Sequence, residues 1–272
     1  MTTPNPYQPL AAKLVDVVAE TPTIKTLVLE PEQPMPFRAG QFVQLTLPGV
    51  GEAPFTPSSS PLTPERIEIT ILKTGMLTDR LHECAPGMAM GLRGPFGKGY
   101  PVDKTDGMEV LVVGGGVGLA PLRALIYALL ARMDKLKRVS IKYGARGTSE
   151  LLYRRQYEQW AAVPKVDLKL TIDRPEQGWS GNVGVVTTLL KSLDIDKPNS
   201  KVFTCGPGIM LKFVTYTLLE EGWTPEQIYL SMNRRMSCGM GKCGRCNIGP
   251  LYLCKDGPDV KYSLIKDYPN VF

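Results

Sequence analysis

The sequence predicts three consecutive folding units: an antiparallel β-barrel, a doubly wound α/β domain and a small cysteine-rich C-terminal domain. Three observations predict this. Short segments of alternating polarity fill residues 10 to 102, cut by Pro- and Gly-rich turns, as in all-β domains. From about residue 106, apolar strands alternate with helix-length stretches, the pattern of a parallel sheet covered on both faces. The tail from Pro225 is rich in Gly and Cys and too short for a core of its own, so it needs a staple. The expected boundaries are 1–103, 104–224 and 225–272.

The 272 residues are 43% hydrophobic, which suits a soluble globular protein. No run of eighteen apolar residues exists, so membrane insertion is not expected. The start, MTTPNPYQPLAAKLVDVV, lacks the basic, apolar, small-residue order of a signal peptide, and a cytoplasmic location is expected. The net charge of +6 comes from scattered Lys and Arg rather than one stripe, which argues against a nucleic-acid partner. A single histidine leaves almost no room for His-based acid–base chemistry or multi-histidine metal sites. Accordingly His82 and Cys84 are read as structural.

In order, AKLVDVVAE, TIKTLVLE, QFVQLTLP, RIEITILK and AMGLRGPF supply barrel strands. Between them, APFTPSSSP places Thr56 after an aromatic and a proline, and KTGMLTDRL places Gly75 and Thr78 at the start of a short helix. A hydroxyl with helix-start N–H groups suits a pyrophosphate, but a loop and an ordinary N-cap fit equally. MEVLVVGGG is a buried strand running into glycines 114, 115, 116 and 118, with a helix from about Pro121. Such a junction lets a phosphate approach the backbone. Leu119 stands where the third glycine of G-x-G-x-x-G would fall, so a merely tight turn remains open. RVSIKYGAR ends on Arg146 rather than a ribose-binding acid. SELLYRRQYEQW and VGVVTTLLKSL are expected helices, followed by the strand SKVFTCGP and the helix GIMLKFVTYTLLEEG.

The tail spaces Cys238, Cys243, Cys246 and Cys254 as C-x4-C-x2-C-x7-C. Disulfides do not suit a cytoplasmic chain of this length. The first three cysteines match the plant-type [2Fe–2S] loop, and Gly239, Gly241 and Gly244 let the backbone wrap closely and aim N–H groups at sulfur. Zinc on four thiolates is the alternative, although structural zinc more often uses two C-x2-C pairs.

The order APFT, GMLT, GPFGKGY, VGGGVGLAPLR and CGP resembles the ferredoxin–NADP reductase superfamily over nearly the whole chain. The resemblance implies FAD on the barrel and NADP(H) or NAD(H) on the α/β domain. It assigns Phe55 and Thr56, within Ala53-Pro54-Phe55-Thr56, to the flavin ring and ribityl chain, with Thr56 near N5. Many members read Arg-Pro-Tyr-Ser there, and Lys73 is a substitute for that missing arginine. Gly75, Met76 and Thr78 would cradle the FAD pyrophosphate. Gly115, Gly116, Gly118 and Pro121 would hold the dinucleotide, and Cys205, Gly206 and Pro207 would lie near the nicotinamide. For Cys205 the bland alternative is a small buried core residue. Arg146 and Arg174 are candidates for a 2′-phosphate.

A cluster domain behind these two resembles electron-transfer subunits of multi-subunit redox enzymes. The nearest likeness is to gamma (diaphorase) subunits of cytoplasmic NADP-linked [NiFe] hydrogenases, where KCG-C followed by CxDGP is typical. Electron-transfer subunits of class B dihydroorotate dehydrogenase, anaerobic sulfite reductase and NADH-dependent ferredoxin–NADP oxidoreductase share these features. The resemblance implies hydride transfer to flavin and single-electron exit through the cluster. It also implies a hetero-oligomer with a catalytic redox subunit and a further iron–sulfur subunit. A stand-alone flavin reductase and a zinc-stapled binding module are the readings from other classes.

Overall fold

The computed structural model describes residues 5–272, so the first four residues of the N-terminal stretch lie outside the described residues. The first sheet holds β1 (Leu10–Thr21), β2 (Ile24–Pro31), β3 (Phe42–Leu47), β4 (Gly51–Phe55) and β5 (Ile67–Leu72), then, after helix α1 (Met76–Glu83), β6 (Ala89–Phe96). Their order is β4-β3-β6-β1-β2-β5 and every pairing is antiparallel. Ser58, just after β4, donates its N–H to Glu68 of β5 at 2.7 Å, drawing the two edge strands together as a barrel does. Alternation in β1 and β5 sends Leu14, Ile67, Ile69 and Ile71 into the core.

The second sheet is built from β7 (Glu109–Gly115), α2 (Leu119–Leu130), β8 (Arg138–Ala145), α3 (Tyr157–Ala161), β9 (Val166–Ile172), β10 (Asn182–Val183), β11 (Ser200–Cys205), α4 (Gly208–Glu220) and β12 (Ile228–Ser231). A two-stranded ribbon of β13 (Asn247–Ile248) and β14 (Leu251–Tyr252), helix α5 (Leu253–Asp256) and β15 (Asp259–Lys261) follow. The order is β10-β9-β8-β7-β11-β12-β15, parallel throughout except that β15 runs antiparallel to β12. β7 is buried on both faces, which is why its sequence is a continuous apolar run. Helices α2 and α4 cover opposite faces, and their buried residues fall in two separate apolar clusters.

Two expected helices are shorter than their spacing predicts. SELLYRRQYEQW forms two 3₁₀ turns, Thr148–Glu150 and Arg154–Gln156, before the five-residue α3. Between them Tyr153 takes φ 55°, a left-handed conformation that no α-helix continues through. VGVVTTLLKSL forms only a 3₁₀ segment, Val186–Leu190, and Ser192 at φ 54° lies just beyond it.

Candidate functional site

Barrel, α/β domain and tail meet around a cleft of about 480 Å³. The barrel contributes Pro54, Phe55, Thr56 and Thr78; the α/β domain contributes Gly118, Pro121, Cys205, Gly206 and Pro207. Residues 42, 70, 72, 74, 117, 120, 231–233, 236 and 258 complete its wall. Nine sequence-nominated residues therefore share one cavity. Ala53 lies beside it on β4. Lys73 follows β5 and is exposed, as is Met76.

At the start of α1 the Thr78 hydroxyl accepts the N–H groups of Thr74 and Gly75 at 2.8 and 2.9 Å and donates to the Gly75 carbonyl at 2.8 Å. Thr78 thus shapes the turn, and the remaining first-turn N–H groups are the ones without intrahelical partners. Gly75 has φ 168°, an extended conformation open to any residue, but a Cβ there would meet nothing, so the turn faces open space.

The glycines after β7 have different causes. A Cβ on Gly118 would lie 2.3 Å from the Cys205 carbonyl, so this glycine lets α2 start against the end of β11. A Cβ on Gly115 would lie 2.1 Å from the Met210 sulfur. Only Gly116, at φ 53°, has open space before it and suits close approach by a phosphate. Gly115 and Gly116 line a second cavity of about 560 Å³ with Arg146, Asp173, Met210 and Phe213. Asp173, at the end of β9, is an acid that the sequence reading missed because it sought one after β8. Arg174 follows it, exposed and outside that lining.

Cys205 sits on the wall between the domains. Burial of its sulfur, and then the carboxylate of Asp259, push the thiol up to about 12 against hydrogen bonds from Ser231 and the Gly206 N–H. It stays a neutral thiol at physiological pH and lines the cleft.

The four tail cysteines approach two by two. Cys243 lies beside Cys238 and Cys246 beside Cys254, each close enough to affect its neighbour's ionisation. Among the described residues, no three Cys, His, Asp or Glu side chains converge as a single-ion site requires. Four thiolates in two neighbouring pairs can hold two irons, each taking two of them. The backbone is already arranged for thiolates: Lys242 and Met240 direct N–H groups at Cys238 Sγ (3.3 and 3.4 Å), and Gly241 directs one at Cys254 Sγ (3.0 Å). Burial raises the Cys238 thiol, yet the N–H groups of Met240, Cys243 and Lys242 outweigh it and bring it down to about 6. Cys243 is exposed while the other three are buried, so the cluster loop shows one edge to solvent.

Two arginines that the sequence reading missed hold the parts together. Arg123 of α2, 4% exposed, pairs with Glu68 and donates to the Ser58 carbonyl at 3.2 Å, fastening the α/β domain to the barrel. Arg93 of β6, equally buried, pairs with Glu52 and donates to the Cys238 carbonyl at 3.0 Å. Their signal was present as single cations inside otherwise apolar stretches, LAPLRALIYALL and AMGLRGPF.

Comparison with known proteins agrees with this geometry. Residues 12–100 match the oxidoreductase FAD-binding domain, 112–215 the oxidoreductase NAD-binding domain, and 233–266 the iron–sulfur cluster binding domain of dihydroorotate dehydrogenase B. Sulfhydrogenase 1 subunit gamma of Pyrococcus furiosus is 35% identical, across 100% of this chain and 97% of that protein. A probable dihydroorotate dehydrogenase B electron transfer subunit of Methanocaldococcus jannaschii is 32% identical across 92% of this chain and 89% of that one. A chain from the solved structure of NADH-dependent reduced ferredoxin–NADP oxidoreductase superposes with TM-score 0.76 at 26% identity, covering 95% of this chain and 90% of that one. The chain therefore belongs to the oxidoreductase family of FAD-, NAD(P)- and iron–sulfur-binding electron-transfer subunits that includes sulfhydrogenase gamma and the electron transfer subunit of dihydroorotate dehydrogenase B.

Proposed function

We propose that this protein is the gamma-type electron-transfer subunit of a cytoplasmic [NiFe] hydrogenase, exchanging electrons between NADP(H) and a catalytic redox subunit. The observation that carries the reading is likeness to a sulfhydrogenase gamma subunit over the full chain. When bound, FAD takes electrons in pairs from the nicotinamide and releases them singly, and the [2Fe–2S] cluster carries them one at a time.

The chain's own residues provide the positions. Phe55 and Thr56 present a ring and a hydroxyl to the cleft, facing Gly118, Cys205 and Gly206 across it. On this reading the flavin face of the barrel meets the nicotinamide face of the α/β domain. The free N–H groups at the start of α1 receive the FAD pyrophosphate, and Gly116 receives that of the dinucleotide. Arg146, exposed beside the second cavity, pairs with a 2′-phosphate, with Arg174 in reserve. Cys238, Cys243, Cys246 and Cys254 hold the cluster. Its exposed Cys243, flanked by Lys242 and Arg245, faces the partner.

The test is anaerobic purification of the untagged protein from its native cell, with identification of what accompanies it. A nickel-bearing large subunit with a further iron–sulfur subunit is the expected result. A dihydroorotate- or sulfite-converting partner would keep the cofactor order and replace the destination. A lone monomer with efficient steady turnover would overturn the subunit reading.

A further inference from the structure

Oxidation of the nicotinamide is balanced by NAD(P)H → NAD(P)⁺ + H⁺ + 2e⁻. The electrons leave through the cluster loop, which has no means of carrying the proton. A separate route must take it from the cleft to solvent. We propose that Ser231 and Asp259 are that route, a two-residue proton relay from the cleft wall to the groove behind it.

Ser231, the last residue of β12, lines the cleft together with Cys205. Asp259, the first residue of β15, is its register partner across the antiparallel pair. The Ser231 hydroxyl donates to Asp259 Oδ1. The Tyr100 hydroxyl lies 2.5 Å from the same Ser231 oxygen. On its other side Asp259 lines a groove of about 1310 Å³ between the barrel, the 100–104 connection and the tail. Asp259 thus lies between the cleft, which it meets through a single hydroxyl, and the groove that its residue lines.

The local chemistry suits proton exchange. Asp259 is 6% exposed, and among the described residues its Oδ2 has no hydrogen-bond partner. A Cβ on Gly40 would lie 2.0 Å from that oxygen, so the glycine leaves the carboxyl its space. The titratable groups facing Asp259 are Tyr100 and Cys205, both neutral at physiological pH because burial raises them. The groove adds Arg38, Lys98, Lys104, Arg132, Tyr229, Lys261, Asp103 and Asp256, none of which bonds to Asp259 among the described residues. A buried carboxyl held by hydroxyls without a cation ionises reluctantly. Burial pushes it up to about 8, where it exchanges protons near neutral pH.

In the outward step the protonated Asp259 first gives its proton to water in the groove. The Ser231 O–H bond then breaks toward the Asp259 carboxylate while a new O–H forms on Ser231 from the cleft proton, which restores the protonated carboxyl. The reverse sequence serves dinucleotide reduction. The relay rests on the NAD(P)H-oxidising cleft and is independent of the partner's identity.

The experiment uses the cofactor-loaded protein and its Asp259→Asn, Asp259→Glu and Ser231→Ala variants. Infrared titration of the resting protein is expected to show a protonated carboxyl losing its carbonyl stretch near pH 8, absent from Asp259→Asn. Proton release during NAD(P)H oxidation with ferricyanide as the one-electron acceptor, followed with a pH dye, is expected to slow about 100-fold in Asp259→Asn and Ser231→Ala. KM stays unchanged, and Asp259→Glu restores part of the rate and the pH profile. Absence of a carboxyl titrating near pH 8 overturns the relay. So does unchanged proton release in Ser231→Ala, which decides the matter even where an Asp259 variant does not fold. Failure of the unsubstituted protein to oxidise NAD(P)H counts against the proposed function, while the infrared titration still judges the relay.

Discussion

Arg93, on a barrel strand, donates a hydrogen bond of 3.0 Å to the backbone carbonyl of Cys238, the first of the cluster cysteines. The loop is therefore seated on the flavin-binding domain, although residues 93 and 238 lie far apart in sequence. Gln44 adds a second hold, donating to the Met236 carbonyl at 2.8 Å. Phe96, 5.3 Å from the Arg93 guanidinium, fills the space against which Gly239 is packed. A barrel that grips both the cleft and the cluster loop fixes the distance an electron must cross.

Arg93→Ala is expected to loosen that grip. It leaves the Glu52 carboxylate, 30% exposed, without its cation and the Cys238 carbonyl without its donor. Loss of one member of such a buried pair costs about 3 kcal/mol. The check is a denaturant melt together with the electron paramagnetic resonance spectrum of the reduced cluster. A variant with unchanged stability and an unchanged, sharp spectrum would show that the arginine is not a clamp.

Neighbouring glycines are expected to respond differently to alanine. At Gly118 the added methyl meets backbone, the Cys205 carbonyl at 2.3 Å, and cannot be accommodated without moving β11 or α2; a cost of about 3 kcal/mol is expected. At Gly115 it meets the Met210 sulfur, the end of a flexible side chain. That variant should fold at a cost of about 1 kcal/mol. The displaced Met210 narrows the dinucleotide cavity, so KM for NAD(P)H rises. Melting curves and steady-state kinetics of both variants check the contrast, and equal destabilisation would refute it.

How much of this was legible follows from where the causes lie. Strand alternation and the run MEVLVVGGG carry their own periodicity, so barrel and parallel sheet read directly from the chain. Cysteine spacing and the Gly-rich junction are local motifs and read equally well. Tyr153 is different: its ring sits 4.5 Å from the Arg123 guanidinium and its hydroxyl 2.6 Å from Thr70 of β5. Those distant contacts hold a left-handed backbone that local propensity disfavours, and the expected helix over SELLYRRQYEQW breaks there. Arg93, Arg123 and Asp259 likewise act through partners far along the chain, which no spacing rule encodes.

Tyr153→Phe separates the contributions at that joint. The substitution keeps the ring over Arg123 and removes only the bond to Thr70, which retains Thr26 at 2.8 Å and Ser58 at 2.9 Å. A loss of about 1 kcal/mol is expected. Arg123→Met instead removes the cation from the Tyr153 ring together with the contacts to Glu68, Ser58 and Gln156, and should cost about 3 kcal/mol. Urea denaturation of the two variants measures this ordering. A reversed ordering would place the joint's stability in the tyrosine hydroxyl.

Asp259 sets a pH dependence of stability whose sign is opposite to that of ordinary paired carboxylates. Folded, it keeps its proton up to about pH 8; unfolded, it titrates near 3.8. Between those values the native state holds one more proton than the unfolded state, so this group's contribution falls as pH rises. It is fully present below about 3.8 and lost by about 8. Asp167 works the other way: burial opposes its ionisation, but Lys142 prevails and holds it below 3.8, so its contribution is lost only in acid. Cys238 does not titrate while the cluster holds it. From pH 5 to 8 the loaded protein should therefore lose stability steadily, and Asp259→Asn should lose less. Thermal melts of the two proteins across that range test the assignment. Parallel curves would mean that Asp259 is ionised throughout, which would also remove the basis for its part in proton transfer.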